Sequence, residues 1–172
     1  MSQKVFNVIV LLFSVNAFAR LEIKEIPLSQ TQQVVCRTFH YPTKRMTTDT
    51  QVTSVRFSNG VLLMNIGIPD RTSPGGLQEL SGRIVRVEQV RGGGNDLIVY
   101  EIEPTRNSAS GAIFKNASRV YLSIDYFRGI LDRFGGRRST LQIRSKNGNV
   151  EEVALPAWMK DSTLACELYP YP

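Results

Sequence analysis

The sequence holds a single histidine and two cysteines among 172 residues, and that scarcity removes several chemistries at once. A tetrahedral zinc site needs four nitrogen or sulfur ligands, which His40, Cys36 and Cys166 cannot supply within one chain. A Ser-His-Asp triad would have to be built on His40, yet nothing marks a particular serine as its partner. Neither a G-x-S-x-G elbow nor an S-x-x-K motif occurs. The alternating carboxylates of a calcium loop are also missing around Asp96. Gly92-Gly93-Gly94 is followed by no Lys-Ser or Lys-Thr pair and by a strand pattern, which excludes a phosphate-binding loop. No internal repeat or linker divides the chain, and no cofactor is expected.

Long apolar runs are scarce too. The one at the N-terminus, Val5 to Val15, is interrupted by Asn7 and Ser14 and is shorter than the roughly 20 residues that cross a bilayer as a helix. Lys4 precedes it and Ala17-Phe18-Ala19 follows, which is the order of a cleavable signal peptide. We therefore expect residues 1–19 to be removed after Ala19. Residues 20–172 would then form a single β-rich domain in the periplasm or outside the cell, with no transmembrane segment. No cysteine follows the cleavage point, so a lipid anchor is not expected.

In an oxidising compartment, two cysteines read as one disulfide. A bridge between Cys36 and Cys166 would tie the beginning of the domain to its end and leave no thiolate for catalysis.

What is abundant is alternation with a period of two. Leu21 and Ile23, Val35, Arg37, Phe39 and Tyr41, Val55 and Phe57, Val85 and Val87, Ile98, Tyr100 and Ile102, and Val120, Leu122 and Ile124 each read as one face of a strand. Val61 to Ile66 is nearly continuous, as a strand covered on both faces would be. Asn59-Gly60 signals a hairpin of type I′, and Asn147-Gly148 a second hairpin. The expected fold is all-β and mostly antiparallel: a β-sandwich or partly open barrel of about nine short strands. One short amphipathic helix is expected from Asp125 to the Gly135-Gly136 stop, and a further helical turn at Pro156. Residues 42–51, 67–81 and 104–118 read as long loops, where binding residues concentrate.

The net charge of +6 is carried mainly by arginine, fifteen against six lysines. Arginine forks onto carboxylates and phosphates more readily than lysine does. Arg133, Arg137, Arg138, Arg144 and Lys146 form one group along the chain, and Arg106, Lys115 and Arg119 another. Both are candidates for an anionic or protein partner. Glu101 and Glu103 share a strand face, but it is the face opposite the apolar row, so they read as surface charge.

These features favour a non-enzymatic binding or structural domain, with another envelope or surface protein as partner. The alternative is a module that binds a polyanion or carbohydrate through arginines. An anionic glycan or a lipid headgroup would suit that surface, and a homo-oligomer is compatible with either reading.

Overall fold

A computed structural model describes residues 21–171 apart from 70–75, 106–108, 110–111, 127–130, 132–134, 154, 156–158 and 160. Ten strands follow one another: β1 (Glu22–Glu25), β2 (Gln33–His40), β3 (Arg45–Arg56), β4 (Leu62–Pro69), β5 (Leu77–Gly92), β6 (Asn95–Pro104), β7 (Ala117–Asp125), β8 (Arg137–Ser145), β9 (Val150–Glu152) and β10 (Ser162–Tyr169). Every pairing between them is antiparallel. β5, β4, β3, β2, β10, β8, β7 and β6 are neighbours in that order, and β6 returns to β5. The sheet closes on itself as an eight-strand barrel, not a sandwich.

Closure explains the alternation. Eight strands leave an interior that side chains alone can fill. Val34 and Cys36 of β2, Val52 of β3, Leu62, Met64, Ile66 and Ile68 of β4, and Leu80, Ile84 and Val87 of β5 belong to one buried cluster. Tyr100 and Ile102 of β6, Val120, Leu122 and Ile124 of β7, Leu141 and Ile143 of β8, and Leu164 and Cys166 of β10 complete the ring. β4 buries one face and not two: Leu63, Asn65 and Gly67 lie on its outer side, between the buried Leu62, Met64, Ile66 and Ile68. Its continuous apolar look came from Leu63, which is only partly covered.

Two strands outrun their neighbours. β4 flanks β5 from Leu77 to Arg83, and β1 takes over on the same edge from Glu88 to Arg91. Likewise β10 flanks β8 only from Arg137 to Ser139, and β9 covers Gln142 to Arg144. Short strands thus cover backbone groups that would otherwise be open edges.

The first hairpin corrects the expected turn type. At Asn59-Gly60 and Asn147-Gly148 only the glycine has positive φ, +81° and +93°. Phe57 N–H donates to Val61 and Gly60 N–H to Phe57, a three-residue loop with a glycine bulge rather than type I′. Type I′ geometry falls instead at Gly93-Gly94, where φ is +61° and +78° and Gly92 pairs with Asn95.

The expected loops are shorter than their composition suggested. β3 absorbs most of 42–51, because threonine favours a pleated surface. The 67–81 stretch is trimmed by β4 and β5 at its two sides, and its centre lies outside the described residues. In 104–118, a turn over 112–116 drops Phe114 into the buried cluster, and Gln78 Oε1 accepts from Ile113 N–H at 2.8 Å. Asp125 is the last residue of β7. The remainder of the helix expected after it lies mostly outside the described residues, as does the turn at Pro156.

The other end of the barrel is closed by chain termini. Ile26, Leu28, Leu168 and Tyr171 pack against the buried cluster. Tyr171 Oη and Ser54 Oγ hydrogen-bond at 2.8 Å, and Ser54 Oγ also accepts from Val34 N–H. Arg56 lies 4.4 Å over the Tyr171 ring and donates to the carbonyls of Leu28, Ser29 and Thr31 around a 3-10 turn at Leu28–Gln30. Burial carries the Tyr100 hydroxyl far above the ordinary tyrosine range, with Tyr126 and Tyr171 adding to it, so Tyr100 stays neutral.

The disulfide forms as expected. Cys36 and Cys166 are directly opposed on β2 and β10 inside the barrel, 130 positions apart in sequence. A loop of that length constrains the unfolded chain by about 5 kcal/mol. Replacing both cysteines by alanine should lower the unfolding free energy by a few kcal/mol, and reductant should do the same to the native chain but not to the variant. Chemical denaturation with and without reductant checks this. Gly82→Ala probes the β5–β6 contact, since a Cβ there would stand 2.5 Å from Ile102 Cγ2 and 2.9 Å from the Glu103 carbonyl. Overpacking against backbone should cost about 1–3 kcal/mol in the same assay.

Candidate ligand-binding surface

Two cavities lined by described residues open on the outer wall. The paired registers place Glu79, Gly67, Gln51, Arg37, Ala165 and Arg138 side by side on β5, β4, β3, β2, β10 and β8. A second row, Ser81, Asn65 and Thr53, runs next to its first half. Between these rows lies an open groove of about 490 Å³. Its floor is low because Gly67 has no side chain, and its rim is the bulged stretch of β3 at Thr48 and Asp49. Gln51 Nε2 donates to the Thr48 carbonyl, and the Thr47 hydroxyl donates to the Asp49 carboxylate, which holds the rim in place. Ser81 Oγ donates to Asn65 Oδ1 at 2.8 Å and leaves the Asn65 amide N–H groups as donors.

Arg37 and Arg138 flank Ala165 on the same outer row, and both are exposed. Adjacent strands lie about 4.8 Å apart, so the two backbones are about 10 Å from each other. Neither arginine has an ion-pair partner among the described residues. Beyond Arg138 the wall thins, because β10 stops pairing with β8 at Leu164–Ser139. A cavity of about 270 Å³ opens there between Arg138, Thr140, Glu152 and Thr163, with Thr50 and Ile68 at its base. Thr50 Oγ1 is buried without a hydrogen-bond partner among the described residues.

The two basic groups read from the sequence are rearranged. Arg106 and Arg133 lie outside the described residues. Arg119 and Arg144 are cross-strand partners, so residues from separate groups meet on β7 and β8. Lys146 N–H donates to the Asn116 carbonyl, which sets the Lys146 turn beside the Lys115 turn. These positions are not equally available. Arg119 pairs with Glu101 at 3.2 Å and Glu103 at 3.0 Å. Arg144 hydrogen-bonds the Tyr121 hydroxyl, whose pKa is raised by burial despite that bond. Arg137 stacks 4.0 Å from the Tyr126 ring centre and donates to the Tyr126 carbonyl. Burial likewise raises the Tyr126 pKa, against the pull of Arg137. Arg138 is the member of the first group that joins the groove row. Arg37 and Gly67, which the sequence did not single out, complete it.

Glu101 and Glu103 are surface charges within an ionic ladder that also takes in Arg83, 3.0 Å from Glu103. His40 Nδ1 bonds the Thr43 hydroxyl at 2.9 Å in an exposed turn. Among the described residues no group of three His, Cys, Asp or Glu is placed to hold a metal.

No family model, curated protein or solved structure matches this chain.

One carboxylate on the outer wall is out of balance. Glu88 is buried on β5 beside Arg86 at 2.7 Å, yet loss of solvation outweighs that cation and raises its pKa above 4.5, with Glu101 and Glu25 adding to the rise. The folded state then holds its proton to higher pH than the unfolded chain does. Glu88 therefore favours folding below pH 4.5, and that contribution is lost as pH climbs through the raised value. Glu88→Gln should remove this component, so that its stability relative to the native chain improves from pH 4 toward pH 7. Denaturation midpoints across that range read the sign.

Proposed function

We propose that this is an exported, non-enzymatic binding domain whose ligand is a polysaccharide laid across the outer wall of the barrel. The groove over β3, β4 and β5 carries this reading. Amide and hydroxyl side chains both donate and accept hydrogen bonds, as sugar hydroxyls do. Gln51, Thr53, Asn65 and Ser81 present such groups around a floor opened by Gly67. The apolar ring turned into the barrel supports an outer site, because it offers few hydrogen-bonding groups to a polar ligand. The disulfide is compatible with the oxidising compartment that an export signal implies.

A second reading, docking of another envelope or surface protein by strand addition, rests on β1. That strand is paired on one side only among the described residues, and Leu21 and Ile23 are exposed along it. The edge is four residues long and carries Glu22, Lys24 and Glu25. Short charged edges discourage pairing, so we place the function on the groove.

Gly67→Leu isolates the groove. A Cβ at Gly67 meets only the Gln51 carbonyl at 3.9 Å, and the backbone there is ordinary strand, so the change fills the floor without straining the fold. On a panel of neutral and acidic polysaccharides, the native domain should be retarded in affinity electrophoresis and the variant should lose at least tenfold in affinity. Thermal unfolding should be nearly the same for both. Binding that is undiminished in Gly67→Leu would remove the groove from the function.

A further inference from the structure

We propose that Arg37 and Arg138 form an anion-recognition fork at one end of this groove, so that the saccharide is an acidic one. This inference rests on the saccharide reading above and adds the charge of the ligand to it.

The polarity of the outer row carries the argument. It begins at Glu79, passes Gly67 and Gln51, and ends at Arg37, Ala165 and Arg138. Within the groove proper the charged side chains are carboxylates, Glu79 and Asp49, and no cation lines it. The two guanidinium groups stand beyond Gln51, where a polymer leaving the groove would cross β2, β10 and β8. A polymer following this path meets hydroxyl and amide partners first and cations next. Its own charge must then be carried on units spaced along the chain.

Availability separates these two arginines from most of those described; Arg45 is exposed and unpaired too, but it lies off this row, opposite His40 at the end of β2. Arg83, Arg86, Arg91 and Arg119 are held by Glu103, by Glu25 and Glu88, by Asp96, and by Glu101 and Glu103. Arg56 and Arg137 are spent on rings and carbonyls. Arg37 and Arg138 are exposed and unpaired among the described residues, whereas Ala165 between them is buried, so the two guanidinium groups and not the strand between them would meet a ligand. An arginine fork binds a carboxylate or sulfate through two parallel N–H donors. Two forks about 10 Å apart suit two charged groups on one polymer, or one group approached from both sides. The groove lining holds no aromatic ring on which a nucleobase could stack, which favours a sugar polymer over a nucleic acid.

The test compares matched polymers that differ only in charge: polygalacturonate with its methyl ester, and dextran sulfate with dextran. The acidic member of a pair should bind at least tenfold more tightly than its neutral partner, and that margin should shrink as salt rises. Arg37→Gln combined with Arg138→Gln should erase the margin and leave neutral binding unchanged. Both positions are exposed, and circular dichroism should show the fold intact. Neutral and acidic members bound equally, with no effect of the double variant, would overturn the fork and leave the saccharide reading standing. No binding to any member would overturn both. Arginine-dependent binding to duplex DNA or to anionic phospholipid vesicles, with none to the polymers, would also overturn both and would identify the anion as a phosphate.

Discussion

Everything in this molecule depends on the pairing of β2 with β10. These are the first and last strands of the barrel in sequence, and they match over eight residue pairs, from Gln33–Tyr169 to His40–Ser162. The Cys36–Cys166 bridge pins that register from the inside. Without it the sheet would be an open ribbon with an uncovered apolar face. With it, one row of each strand becomes interior and the other becomes wall. The proposed fork exists only because of the same pairing, since Arg37 lies on β2, Ala165 on β10 and Arg138 on β8.

The neighbouring seam is weaker. β10 and β8 share three residue pairs, and the space beyond them is the cavity beside Arg138. The barrel is therefore strongly joined on one side of β10 and loosely on the other. The disulfide lies at the strong side, where it fixes β10 as an anchor, while the wall next to the binding row keeps an indentation.

Strands were legible in the sequence because alternation is a local signal. Ile98, Tyr100 and Ile102 face inward and Glu101 and Glu103 outward, as their spacing implied. The disulfide was legible from cysteine arithmetic. Closure was not, because whether β6 returns to β5 is decided by registers between strands far apart in the chain. Phe114 likewise sits in a loop whose composition hides its burial. The arginines show the same limit. Arg137 and Arg138 are adjacent in sequence, yet one stacks on Tyr126 and the other points outward. Arg37 and Arg138 stand a hundred positions apart along the chain and meet only through β10. Gly67 carried no signal, since a glycine in a strand has no local mark of the groove above it.

The distance along the chain between β2 and β10 also governs when this barrel can come into being. Contacts of such long sequence separation make folding slow. Until residues 162–169 are available, the partial sheet has nothing to shut against. The Cys36–Cys166 bond therefore records completion of the fold, because its two sulfurs meet only once both strands are in register.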